Sequence, residues 1–98
     1  MKAKQLVRQR VGVHARGFAE LVIWQLATPL TGSSRSFNYR LAKVVAGICV
    51  LRYDNEACKG DHRHWGPTET AYKFSDPRQL RADFFENIRR YNHEHPED

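Results

Sequence analysis

The sequence predicts an α+β domain in which an antiparallel β-sheet of four to six strands, connected as a meander, carries one long C-terminal α-helix packed on one face. Two observations lead to this fold class. The first half of the chain contains runs in which apolar and polar residues alternate with the period of two that a strand requires. The last quarter contains apolar residues at helical spacing behind a strong helix-start signal. Residues 1–98 are expected to form a single domain, because 98 residues cannot fill two hydrophobic cores.

Two strands are predicted from clear alternation. Residues 4–13 put valines on one face and Arg8 and Arg10 on the other. Residues 37–45 alternate in the same way, with Arg40 on the polar face. Such strands bury one side and expose the other, so these arginines are expected on a solvent-facing surface of the sheet.

Two more strands are predicted from composition and turn signals. Residues 18–27 are apolar on both faces, which is typical of a central strand, and Trp24 within them is expected in the core. Residues 28–36 are rich in turn residues and predict a loop. Ala46-Gly47 predicts a tight hairpin into a strand over residues 48–53, because glycine supplies the positive φ that such turns favour.

Residues 54–71 show no clear periodicity. They hold four acidic residues and the turn residues Gly60, Gly66 and Pro67. A stretch of this length inside a small domain indicates either a functional loop or short strands, which would lie at residues 62–65 and 71–74.

The C-terminal segment predicts the helix. Asp76 is a good N-cap, Pro77 suits the first helical position, and Gln79 stands where a capping-box partner belongs. Residues 91–98 are expected to form a frayed polar tail. The apolar stripe that should face the sheet consists of Leu80, Phe84, Ile88 and Tyr91, with Phe85 beside them.

The charge of the chain is unevenly distributed. The net charge is +5, but residues 1–52 carry nine Lys/Arg and one acid, whereas residues 53–98 carry seven Lys/Arg and ten acids. A basic first half attracts polyanions such as RNA. No apolar run is long enough to cross a bilayer, and the two cysteines are expected as reduced thiols, so a cytoplasmic protein without a membrane segment is predicted.

The hexapeptide KGDHRH, residues 59–64, concentrates titratable groups. If it is extended, His62 and His64 project to one face while Asp61 and Arg63 project to the other. Two imidazoles could cleave RNA without a metal, one taking the 2′-OH proton and the other protonating the leaving 5′ oxygen, to yield a 2′,3′-cyclic phosphate. Lys59 and Arg63 would stabilise the transition state, and Asp61 would orient a histidine or hold Arg63.

Two other interpretations of the hexapeptide stay open. The H-x-H pair offers two nitrogen ligands on one face, to which Asp61 or Asp54 would add oxygen, although no CxxC or HExxH spacing accompanies it. Histidines in a charged segment also serve structural roles, in which case KGDHRH would be a polar staple. No cofactor and no metal ligand is assigned on the leading interpretation, and Trp65 beside the motif would stack on a base.

The segments LRYDNEACKGDHRHWG, AYKF and LRADFFENIRRY, together with ELVIWQL and YRLAKVVAGICVLRYDNE upstream, resemble the TumE-type family of small toxins of bacterial toxin–antitoxin pairs. The resemblance implies a bacterial cytosolic protein that inhibits growth when free and is encoded beside an antitoxin with a helix-turn-helix DNA-binding domain. It also implies a functional centre at Tyr53, Asp54 and Asn55 together with residues 59–64.

The leading prediction is therefore the toxin of a type II pair that acts as a metal-independent endoribonuclease or translation inhibitor. His62 and His64 would be its acid and base, in either order, and the substrate would be held by Arg8, Arg10, Arg40, Tyr53, Asp54, Asn55 and Trp65. The alternatives are a non-catalytic module that binds nucleic acid or protein, and a metal-dependent nuclease or transferase that uses the H-x-H pair. A strand edge of such a sheet also offers a surface for a homodimer.

Overall fold

The computed structural model describes residues 3–14, 16–26, 37–56 and 60–96. Its sheet has six antiparallel strands in the order of the chain, as the predicted meander requires. One C-terminal helix accompanies the sheet, so the predicted α+β class is confirmed. The elements are β1 (Ala3–His14), β2 (Gly17–Leu26), β3 (Phe37–Val45), β4 (Ile48–Glu56), β5 (Gly60–Trp65), β6 (Thr68–Ala71) and α1 (Pro77–Glu94).

The segment without periodicity contains two short strands. The tetrad HRHW, predicted as a candidate strand, lies within β5, whereas β6 begins at Thr68 and ends at Ala71 rather than running over 71–74. Gly66 has a φ of 58° and joins these strands in a tight turn. The strands are short and polar, which is why their alternation was not evident in the sequence. The loop predicted for residues 28–36 lies outside the described residues.

The hairpin between β3 and β4 follows the prediction. Ala46 and Gly47 both have positive φ, at 50° and 81°. A two-residue turn with positive φ at both positions matches the right-handed twist of the strands it connects. The turn therefore brings β4 alongside β3, and β4 continues to Glu56, three residues beyond the predicted strand end.

The helix begins as predicted but ends later. The Asp76 side chain accepts a hydrogen bond from the backbone N–H of Gln79 at 2.8 Å, and Pro77 opens the helix. Residues 91–94, expected in the polar tail, are helical because Tyr91 is buried and its ring stacks on that of His95 at 4.1 Å. No helix within the described residues is long and apolar enough to span a membrane.

The helix covers one face of the sheet, called here the helix face, and the core lies between them. The predicted stripe is confirmed, since its four principal members are buried and Phe85 packs against them. Lys43 is also fully buried on this face, where its ammonium group lies 4.5 Å from the centroid of the Tyr91 ring. From the sheet, the helix face contributes Ala19, Leu21, Ile23, Tyr39, Leu41, Val45, Leu51 and Tyr53.

Candidate active site on the open sheet face

The pleat of β5 separates the titratable groups of the hexapeptide. His62 and His64 lie on the face opposite the helix, called here the open face, and their ring centroids are 5.2 Å apart. Asp61 and Arg63 lie on the helix face, where Arg63 is paired with the core residue Tyr53 across the strands. Alternation along a strand places neighbours on opposite faces, so the predicted pairing of the two histidines follows from the extended backbone.

The register of the sheet lines up further charged residues beside the histidines. Cross-strand partners lie about 4.5–5.5 Å apart and share a face, so a row of partners forms one stripe across the sheet. Two such rows contain the histidines and all three arginines predicted to hold phosphates. The first row is His62, Asp54, Arg40, Val22 and Arg8, and the second is His64, Arg52, Ala42, Glu20 and Arg10.

His62 forms a buried ion pair with Asp54. Its Nε2 lies 2.5 Å from Asp54 Oδ1, and its Nδ1 lies 3.1 Å from the carbonyl oxygen of Gly60. His62 is only 4% exposed and Asp54 7%. Both ring nitrogens thus face protein oxygen atoms, a carboxylate on one side and a carbonyl on the other.

Arg52 connects this ion pair to the second histidine. Its Nε lies 3.2 Å from Asp54 Oδ2, and a terminal guanidinium nitrogen lies 3.0 Å from His64 Nε2. Because arginine can only donate, a hydrogen bond from Arg52 needs His64 Nε2 as its acceptor, and the Glu69 carboxylate lies 3.6 Å from the same nitrogen. The His64 side chain is 21% exposed. The two histidines therefore differ in burial and in partners: His62 is buried between two oxygen atoms, and His64 is partly exposed between a guanidinium and a carboxylate.

Arg52 was missed in the sequence, although a signal was present. Arg52 stands two residues before Asp54 on the same strand, so the period of two puts both side chains on one face. What the sequence could not show is that this face is the one that carries the histidines. That depends on the register between β4 and β5.

A metal could be held by the same group of side chains. Asp54, His62 and His64 each offer a ligand atom, and these atoms lie within 4.8 Å of one another. Carboxylate and imidazole ligands suit zinc and similar ions. The guanidinium of Arg52, however, contacts Asp54 and His64, two of the three candidate ligands. It supplies positive charge where a divalent cation would otherwise do so.

Five of the predicted site residues lie on the helix face instead. They are Tyr53, Asn55, Asp61, Arg63 and Trp65, which alternate with the open-face residues along β4 and β5. The sheet therefore separates them from the two histidines. Lys59 lies outside the described residues.

The contacts of these helix-face residues are internal. Asn55 accepts from the backbone N–H of Tyr39 at 2.9 Å and donates to the carbonyl of Phe37 at 2.8 Å. Asp61 accepts from the Tyr39 hydroxyl at 2.6 Å. Burial, and then this hydrogen bond to Asp61, raise the pKa of Tyr39 well above its ordinary value of 10.0, so the phenol stays a donor.

Tyr53 and Trp65 contact the helix. The Tyr53 hydroxyl donates to the side-chain oxygen of Asn87. The Trp65 ring lies 4.7 Å from the guanidinium carbon of Arg90. Both aromatic residues thereby tie the strands near the histidines to α1, while their rings face away from the open face.

Trp24, expected in the core, lies on the open face. It is the cross-strand partner of Asn38, and it is half-buried rather than enclosed. The expectation failed because β2 is apolar on both faces while the one helix covers only one of them. Trp24 lines a groove of about 420 Å³ that also includes Arg40 and Asp54. The groove thus extends from Trp24 on β2 to Arg52 and Asp54 on β4, the partners of the histidines.

Comparisons with known proteins agree with the resemblance seen in the motifs. The family model described as toxin TumE matches residues 2–92, which span all six strands and nearly all of the helix. No significant match was found among curated proteins or among solved structures. A family of toxins implies, in general, an antitoxin partner. Because this family model covers almost the whole chain, the protein belongs to the TumE toxin family.

Proposed function

We propose that the protein is the toxin of a bacterial type II toxin–antitoxin pair and acts in the cytoplasm as a metal-independent endoribonuclease. One observation carries this proposal: two adjacent histidines on one face have unlike partners. His62 faces two oxygen atoms, and His64 lies against the Arg52 guanidinium. Cleavage of RNA through its own 2′-OH needs one protonated and one neutral group, and on this proposal His62 and His64 take those two roles.

In the proposed reaction His64 is the base and His62 the acid. Nε2 of His64 takes the 2′-OH proton once the bound phosphate draws away the Arg52 guanidinium. The 2′ oxygen attacks phosphorus, the bond from phosphorus to the 5′ oxygen breaks, and His62 protonates that oxygen. Arg52 stabilises the charge that develops on the phosphorane. The products are a 2′,3′-cyclic phosphate and a 5′-hydroxyl end.

The open face supplies a binding surface for the RNA backbone. Arg8, Arg10 and Arg40 are exposed there, in the same two rows as the histidines. Arg10 is paired with Glu20 at 2.8 Å, and this hydrogen bond lowers the pKa of the Glu20 carboxyl. Arg8 and Arg40 are the stronger candidates for phosphate contacts, because a phosphate need not displace that carboxylate.

The test is RNA cleavage in the presence of a chelator. Single-stranded RNA incubated with the purified toxin and excess EDTA should yield 2′,3′-cyclic phosphate ends. The matched substrate carries a 2′-O-methyl group at the cleaved position and should stay intact, because the attacking hydroxyl is blocked. Cleavage that requires added divalent metal would instead favour the metal-dependent alternative, and stoichiometric bound metal found by elemental analysis would support it.

A second function, a non-catalytic module that binds nucleic acid or protein, is favoured by the burial of His62. Both ring nitrogens of His62 are already engaged inside the protein, as expected of a structural histidine. On this alternative, replacing both His62 and His64 with alanine lowers the melting temperature but leaves growth arrest largely intact. The endoribonuclease predicts the opposite, a double variant that folds and no longer arrests growth.

We further propose that the antitoxin carries a helix-turn-helix DNA-binding domain and is encoded beside this gene. Its co-expression should restore growth of cells that express the toxin, and the adjacent reading frame should encode such a domain.

The outer edge of β6, whose four residues are all exposed, is where a homodimer would form by strand pairing. Size-exclusion chromatography with light scattering would measure that state.

A further inference from the structure

We propose that the groove beside the histidine cluster is a nucleobase-binding subsite in which Trp24 is the stacking platform. The groove has a volume of about 420 Å³, within the range of roughly 300–1,000 Å³ typical of small-molecule sites. Its lining includes Trp24, Asn38 and Arg40 from β2 and β3, and Arg52 and Asp54 from β4. The inference rests on the proposed function, because it names the part of an RNA substrate that this face would hold.

The lining combines the three groups that single-stranded RNA requires. The half-buried ring of Trp24 can stack on any base, because every base has a π-face. The exposed amide of Asn38, its cross-strand partner, has the donor and acceptor needed at a base edge. The exposed guanidinium of Arg40 can bind a phosphate. The acidic member of the lining, Asp54, is already paired with Arg52 and His62.

The Trp24 end of the groove lies away from the reacting atoms. Trp24 is on β2, three strands from His62 on β5. Along the strands it is also displaced by two residues, because its partner is Asn38 and the row of His62 passes through Arg40. Strand spacing and rise per residue put the two positions roughly 15 Å apart. A base on Trp24 therefore belongs to a nucleotide that flanks the cleaved bond. Trp24 is a specificity residue, and Asn38 selects among bases.

The experiment uses Trp24 as its own reporter. The chain has two tryptophans, so in the Trp65→Phe variant Trp24 is the one that fluoresces. Phenylalanine keeps an aromatic ring against Arg90 and Tyr91. Titration with short 2′-O-methyl oligonucleotides, which cannot be cleaved, should quench Trp24 saturably. The four homopolymers should bind with different affinities, and Asn38→Ala should reduce those differences.

Affinity measurements with matched variants complete the test. Trp24→Ala should weaken binding of the preferred oligonucleotide by about 5- to 150-fold, as expected for the loss of one stacked base, and Trp24→Phe by much less. The control is Phe18→Ala, which removes an open-face aromatic covered by Arg10 and outside the groove. Melting temperatures of the variants establish that each is folded before its affinity is compared.

The outcomes separate this inference from the proposed function. Oligonucleotide binding that leaves Trp24 fluorescence unchanged, with Trp24→Ala and Phe18→Ala equally affected, would overturn the subsite even if RNA is cleaved. Saturable quenching with no cleavage of unmodified RNA would overturn the endoribonuclease and leave the subsite standing. Quenching by an acidic peptide but by none of the oligonucleotides would assign the groove to a protein partner and overturn the subsite.

Discussion

The two faces of the sheet satisfy their polar groups in different ways. On the helix face, polar side chains are paired with structural partners, as in the hydrogen bond of Tyr72 to Asp83 at 2.5 Å and that of Tyr39 to Asp61. On the open face, Asp54, Arg52 and the two histidines are paired mainly with one another, and the network reaches solvent at His64. A hydrogen-bond network with an accessible end can exchange its partners for those of a substrate, whereas the helix-face pairs hold the fold together.

Alternation in one short strand supplies both faces. The same hexapeptide contributes Asp61 and Arg63 to the packing beneath the helix and His62 and His64 to the open face. A dense run of titratable residues in a strand therefore does not place all of them in one site, because neighbouring residues point to opposite faces. The comparison predicts that substitutions on the open face mainly lower activity, whereas substitutions on the helix face mainly lower stability.

The largest expected effect is on the cleavage rate when His64 is changed. His64→Ala should lower the rate of RNA cleavage by about 10²–10⁴-fold, because the proposed general base is lost. Its melting temperature should stay near that of the wild type, since His64 is partly exposed. The measurement is the single-turnover rate on a defined RNA.

The matched control for this prediction is His93→Ala. It removes an exposed histidine from the last turn of the helix, far from the open face, and should leave the rate unchanged. Equal rates for His64→Ala and the wild type would contradict the assignment of chemistry to the open face.

The next effect is on stability and concerns the helix face. Phe84 is fully buried in the core, so Phe84→Ala should reduce the free energy of unfolding by about 3–5 kcal/mol. Val22→Ala, on the half-buried open face, should cost less than about 1.5 kcal/mol. Urea denaturation measures both, as a lower midpoint with an unchanged slope. Similar losses for the two variants would mean that the open face is also packed against something in solution.

Much of the fold could be predicted because each signal was local. The alternation in β1 and β3, the hairpin at Ala46-Gly47 and the cap at Asp76 depend on residues close in sequence. The pairing of His62 with His64 was predictable for the same reason, since it needs only an extended backbone. Local rules therefore identified the elements and one pair in the candidate site.

The rest of the site depends on long-range geometry. That Asp54 pairs with His62, and Arg52 with His64, follows from the register of β4 and β5, and a slip of one residue would turn every side chain to the other face. The sequence of a single strand likewise does not determine which of its two faces the helix covers. That choice placed Trp65 beneath the helix and left Trp24 on the open face.

A smaller effect is expected on the salt dependence of RNA binding. Arg8→Ala and Arg40→Ala should each reduce the slope of log affinity against log salt concentration by about 0.7, the value for one phosphate contact on a single strand. Arg78→Ala, which removes the same charge from the helix, should leave the slope unchanged. Filter binding to an uncleavable oligonucleotide between low and moderate salt measures it. Equal slopes for all three variants would mean that the open face does not track the backbone.

The smallest effect is on alkaline stability and belongs to the helix face. The pKa of Tyr39 is raised above 10.0 by burial and by Asp61, so the folded protein keeps this phenol protonated. Above pH 10 ionisation of this phenol stabilises the unfolded chain only. The free energy of unfolding therefore falls by up to about 1.4 kcal/mol per pH unit until the folded pKa is reached.

Near pH 8 the Tyr39→Phe variant should be less stable than the wild type, because phenylalanine cannot donate the hydrogen bond to Asp61. The stability difference should narrow as pH rises beyond 10, because the variant lacks the ionisation at this position. Urea denaturation at pH 8, 9, 10 and 11 measures the difference, with the flat interval below pH 9 as an internal control. A difference that stayed constant above pH 10 would mean that Tyr39 ionises equally in both states, so the helix face would be more open to solvent than its packing indicates.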